Sequence, residues 1–127
     1  MGRFPIEVVS ERDRLETWRE QAGMLGIRLT FHNRFQKAWL HDGTADWFWG
    51  AAERLRIPLM LFVPDSLAEI GRIAEQFPDL KLVLDHLALF GRYDDQLMAK
   101  LSPMLALARF PNIAVKASCM PNLVSEE

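Results

Sequence analysis

Short apolar runs of strand length recur along this chain, and between them the apolar residues switch to helical spacing. Phe4 to Val9 is rich in β-formers and opens the pattern as a first strand. Ser10 and Glu11 then offer a cap and an acidic first turn for a helix to about Ala22, which Gly23 and Gly26 stop. Gly26 to His32 forms a second strand, apolar except for Arg28 in its middle and His32 at its exit. Asn33 to Gly43 is a longer connection, and Thr44 caps a helix with Trp47, Phe48, Ala51, Ala52 and Leu55 on one stripe. Arg56-Ile57-Pro58 leads into a third strand, Leu59 to Val63; Pro64-Asp65-Ser66 serves as loop and cap. A helix with Leu67, Ile70, Ile73, Ala74 and Phe77 on one face follows.

Phe77-Pro78-Asp79 punctuates the entry to a fourth strand, whose Leu82-Val83-Leu84 reads as buried on both faces and ends in Asp85 and His86. Leu87 to Tyr93 is a loop; Asp94 or Asp95 caps a helix through Leu97, Met98 and Leu101. Ser102-Pro103 suggests a fresh helix, with serine as cap and proline at the first helical position. It ends near Arg109, and Phe110-Pro111-Asn112 introduces a fifth strand, Ile113 to Ser118. Pro121 to Glu127 reads as the approach to another helix. Regular βα alternation of this kind predicts a parallel sheet in an α/β fold. Two architectures satisfy it: an open doubly wound sheet of five strands, or part of an eight-stranded βα barrel, which normally needs about 250 residues.

Composition narrows the possible functions. With 127 residues, half of them hydrophobic, the chain suits one domain with a substantial core. Its formal charge of −2 comes from scattered acids and bases, so there is no electrostatic footprint for nucleic acid or a membrane surface. Cys119 is the single cysteine, which excludes an internal disulfide and suggests a reducing, cytoplasmic setting with the thiol packed as a small buried hydrophobe. No secretory signal is visible, and every apolar run falls well short of the roughly 20 residues of a spanning helix. No glycine-rich phosphate loop follows any strand, which argues against nucleotide binding.

The candidate chemistry gathers at the carboxyl ends of the strands, where parallel sheets place ligands and catalytic groups. Asp85 and His86 end one strand, and Lys116 and Ser118 lie at the end of another. Each has an ordinary structural reading as well. His86 can be a buried histidine bonded to a carbonyl, and Asp85 can cap the next loop. Arg28 taken alone reads as a structural ion pair, and a strand-end lysine such as Lys116 can equally pair with Asp85. His41 and Asp42 before Gly43 are turn chemistry, and Trp39 and Trp49 suit either core packing or a pocket wall.

Four stretches resemble the amidohydrolase family 2 group of metal-dependent hydrolase TIM barrels. They are Gly23 to Leu29; Trp49 to Ala52 with Arg56 to Leu61; Phe77 to Leu87; and Phe110 to Ser118. The Asp85-His86 strand is the most specific of them. The resemblance implies a partial (βα)8 barrel of about five parallel strands, corresponding to the family's second to sixth. The family's first-strand His-x-His motif and eighth-strand aspartate have no counterpart, so the chain reads as a fragment that is catalytically incomplete alone.

By the same resemblance a complete protein hydrolyses a carboxylate-bearing lactone or similar ester. His86 is then the catalytic residue, polarising the carbonyl or orienting water. Arg28, Lys116 and Ser118 are substrate-binding, and the absent aspartate is the base. Where members with a full metal site carry a histidine near the end of the fourth strand, this chain has Phe62. That favours the metal-independent lactonases over the zinc-dependent decarboxylases, so no cofactor is expected, although complete members of the group can bind a divalent metal such as zinc. Different readings are a non-catalytic half-barrel that self-associates or pairs with another chain through exposed sheet edges, and a small open-sheet binding protein.

Overall fold

A computed structural model describes residues 1–91 and 95–119. Four parallel strands, β1 (Ile27–Thr30), β2 (Leu59–Phe62), β3 (Leu82–Leu84) and β4 (Ile113–Val115), form one sheet in that spatial order. Between them run helices α1 (Arg34–Ala38), α2 (Asp46–Arg54), α3 (Leu67–Gln76), α4 (Asp95–Ala99) and α5 (Leu101–Leu105). Sequential strands are neighbours throughout, with Ile27 opposite Leu59, Leu59 opposite Leu82, and Leu82 opposite Ile113.

The two faces of the sheet differ in kind. Ile27, Leu29, Leu59, Leu61, Leu82 and Leu84 are buried in one cluster with Phe48, Trp49 and Ala52 of α2 and Ile70, Ile73 and Ala74 of α3. Because side chains alternate across a strand, Arg28, Thr30, Met60, Phe62 and Val83 point the other way, and all five are only half-buried. The helices therefore cover one face and leave the other open. The strands pack closely enough that a Cβ on Gly26 would come within 2.6 Å of the Pro58 carbonyl oxygen.

The expected first strand does not form. Only Gly2 bridges β1: its N–H donates to Gly26, and its carbonyl accepts from Arg28 at 2.7 Å. Pro5 has no N–H to continue the ladder, and the chain turns as Val8 N–H donates to the Pro5 carbonyl. Phe4 instead packs among Trp18, Trp47 and Phe48, and the Trp47 indole donates to the Ile6 carbonyl. The helix expected from Ser10 to Ala22 is replaced by two 3₁₀ segments, Val9–Leu15 and Trp18–Glu20. Each buries one residue, Leu15 in the first and Trp18 in the second.

Other boundaries also move. Asn33 to Gly43 contains α1, whose N-cap Asn33 accepts from Gln36 N–H. Thr44 does not cap α2; Ala45 holds that position, and Thr44 N–H donates to Asp42 Oδ1 in a side-chain turn. Helix α5 starts at Leu101, which places Ser102 and Pro103 inside its first turn. The fifth predicted strand is β4, shortened to Val115, although the Lys116 N–H still donates to Leu84. Cys119 is exposed, not buried. The expected cap at Asp94 and the tail from Pro121 lie outside the described residues. No helix among those described is long and apolar enough to cross a membrane.

One buried side chain ties the sheet to the turn before β3. Asn112 Nδ2 donates toward the carbonyls of Ala74, Phe77 and Leu80 at 3.1, 3.0 and 3.2 Å. Three acceptors share two hydrogens, which holds the end of α3 and the Phe77-Pro78-Asp79 joint against the start of β4. Replacing Asn112 with alanine is expected to lower stability by about 1–3 kcal/mol in urea unfolding, since the three carbonyls lose a common donor. An unchanged midpoint would contradict this role.

Candidate functional site

Because all four strands run the same way, their carboxyl ends share one rim. Three of them contribute charge there. Asp85, the residue after β3, is 1% exposed. Its Oδ2 accepts from Arg28 Nε at 2.9 Å and its Oδ1 from Lys116 Nζ at 3.0 Å. Arg28 is level with Met60, Val83 and Ala114 across the sheet, so its side chain reaches forward along the open face to meet the carboxylate. Burial pushes the Asp85 carboxyl up, but the bonds to Arg28 and Lys116 outweigh it and hold the group below the ordinary carboxylate range.

Two cations meet one carboxylate, so the cluster keeps one positive charge in excess. Both remain accessible on the open face, with side-chain exposures of 33% for Arg28 and 44% for Lys116. Arg28 uses only Nε on Asp85, which leaves the two Nη groups without a partner among the described residues.

His86 stands beside this cluster and takes no part in it. Its backbone is left-handed (φ 57°), as are Leu87 and Ala88 (φ 56° and 53°), three consecutive non-glycine residues in a disfavoured region. The turn is pinned from β4: Leu87 N–H donates to the Lys116 carbonyl at 3.0 Å, just past the bond from Lys116 N–H to Leu84. It sets His86 Nδ1 2.9 Å from Ser118 Oγ, with the Phe62 ring edge-on to the imidazole. Cys119 Sγ lies 3.8 Å from Nε2. His32 and Phe90 continue the aromatic patch around Phe62.

All four residues singled out in the sequence, Arg28, His86, Lys116 and Ser118, thus reach one rim, in two neighbouring groups. Arg28 and Lys116 meet through Asp85, and His86 meets Ser118. Asp85 joins the two cations, so the pairing with Lys116 that the sequence allows does form, and Arg28 shares the same carboxylate. His41 lies away from this cluster, 3.6 Å from Glu69 Oε1.

The depressed carboxyl makes Asp85 a contributor to stability above the unfolded-state pKa of about 3.9. In the acid window below that value the unfolded chain binds the extra proton, so the contribution falls as pH drops through the folded value. Asp85→Asn is expected to cost about 1–3 kcal/mol near neutral pH, where it leaves two cations facing each other without a carboxylate. The gap between variant and parent should narrow as urea titrations move below about pH 4. A gap independent of pH would remove the carboxylate's charge as the cause.

The model of the amidohydrolase family matches residues 4–126. Among solved structures, an amidohydrolase from Burkholderia multivorans, determined with bound zinc, aligns with a TM-score of 0.78 at 17% identity. The match covers 98% of this chain and 45% of that one, so the chain spans less than half the length of its structural neighbour. No curated protein matches. The parallel strands with their alternating helices are the partial TIM-barrel arrangement of that neighbour, and the chain belongs to the amidohydrolase family.

Proposed function

We propose that this open face is the substrate side of a hydrolase acting on a lactone or similar ester that carries a carboxylate. The observation that supports it is the uncompensated positive charge of Arg28 and Lys116, fixed by a buried aspartate and left accessible. A substrate carboxylate meets the free Nη pair of Arg28, whose planar fork suits two parallel hydrogen bonds. Lys116 adds positive charge where the tetrahedral oxyanion develops. His86, oriented by Ser118 and the Phe62 edge, polarises the carbonyl or orients the attacking water. Water adds to the carbonyl carbon, the ring C–O bond breaks, and the departing oxygen takes a proton. By the family resemblance the base is the aspartate of the eighth barrel strand.

The structural neighbour was determined with bound zinc. Among the described residues no group of three or more His, Cys, Asp or Glu side chains gathers to hold a metal. Asp85 already serves two cations, and Phe62 beside His86 has no lone pair to offer. Phe62 at this position offers no ligand, which supports the lactonase reading over a metal-dependent decarboxylase.

The reading is tested with small lactones, each as free acid and as methyl ester, titrated calorimetrically into the chain. The acid is expected to bind about tenfold more tightly, equivalent to roughly 1.4 kcal/mol, and Arg28→Gln should erase the difference. Equal affinity for acid and ester would sink the proposal.

A second reading rests on β4, whose Ala114 and Val115 are exposed at the end of the strand order. Such an edge can pair with another chain, making the protein a self-associating half-barrel. Light scattering on a sizing column is expected to show a dimer or larger species that shifts toward monomer in Val115→Lys. A clean monomer at all concentrations rules this reading out.

A further inference from the structure

A concavity opens beside Arg28, between the amino-terminal segment and β1. It encloses about 270 Å³, a small volume beside typical ligand cavities. Arg3, Glu7, Arg28, Thr30, Gln36 and Trp39 line it. The Gly2 bridge to Ile27 is what puts Arg3 there, next in register beside Arg28.

The polar groups facing this space are largely uncommitted. Arg3 and Glu7 have no partner among the described residues, and Arg28 commits only Nε. Gln36 Oε1 accepts from Asn33 Nδ2 at 2.9 Å, which turns its amide N–H groups into the available donors. Two arginines, a glutamine with free amide donors and a tryptophan thus line one concavity, together with one carboxylate, Glu7.

We infer that this pocket binds a small organic monocarboxylate, its carboxylate shared between Arg3 and the Nη groups of Arg28 and its apolar body seated against Trp39. The inference rests on the reading of Arg28 as a carboxylate anchor and adds Arg3, Glu7 and Trp39 as specificity residues. Planar guanidinium forks match a carboxylate, and the indole supplies apolar contact. Glu7 adds a like charge that repels a second anionic group, so the pocket selects against dicarboxylates.

Benzoate is the probe, with benzamide as its neutral isostere and terephthalate as the dianion. Each is titrated into the chain while the Trp39 indole N–H is followed by NMR. Benzoate is expected to shift that resonance, with at least tenfold weaker binding of benzamide. Arg3→Gln should weaken benzoate about tenfold, and Glu7→Gln should strengthen terephthalate by about threefold. Both positions are exposed, and circular dichroism is expected to show that the variants stay folded. Equal binding of benzoate and benzamide, or an Arg3→Gln variant that binds as the parent does, overturns the pocket. His86→Gln separates the two proposals: it should leave benzoate binding intact while altering lactone binding. Unchanged lactone binding in His86→Gln counts against the hydrolase reading alone, and unchanged benzoate binding in Arg3→Gln counts against this one alone.

Discussion

The carboxylate of Asp85 is the constraint on which the open face depends. A buried anion is costly unless it is paired, and here two cations from different strands pair it. Arg28 comes from β1 and Lys116 from the end of β4, so the bonds span the whole width of the sheet from its central rim. Their geometry fixes where the spare positive charge sits. Without Asp85, two mobile side chains would sample solvent; with it, one guanidinium edge and one ammonium are held at known places. A site that must recognise an anion gains from this arrangement, because the ordering is complete before the ligand arrives.

The left-handed turn at His86, Leu87 and Ala88 serves the neighbouring half of the rim. Each such residue works against its own Cβ, and the conformation persists only where surrounding bonds over-determine it. Here the Lys116 carbonyl holds Leu87, while Ala88 is buried. Lys116 therefore acts twice: its side chain neutralises Asp85, and its backbone closes the turn that aims His86 at Ser118. Charge cluster and imidazole are mechanically joined through the residue that follows β4.

Much of this was legible in the chain itself. Unbroken apolar runs at Leu59 to Val63 and Leu82 to Leu84 predicted buried parallel strands, and the proline joints marked their starts. The rest failed for identifiable reasons. Phe4 to Val9 has strand composition, but tertiary packing of Phe4 on three aromatic rings and the missing N–H of Pro5 overrode it. Helix α1 was hidden in an apparent loop because it is five residues long, although Asn33 three residues before Gln36 is a capping pattern. At the site, Arg28 and Lys116 were each correctly suspected of pairing. What no local pattern could show was that they pair with the same carboxylate, since the contacts join residues 57 and 31 positions apart.

The layering explains how an open, charged face and a stable fold coexist in one chain. The large buried side chains, from Phe31 and Phe48 to Leu82 and Leu84, belong to the helix-covered side. The hydrophobic stabilisation is therefore generated away from the rim. Residues on the open face can be polar, strained or unpaired without emptying the core, and that is where Arg28, Thr30 and Phe62 lie. Asp85 is the exception, because it sits on the open side yet is as buried as the core leucines. Its two ion pairs keep that buried charge within the open layer, so at Asp85 the charge of the rim and the stability of the sheet are coupled.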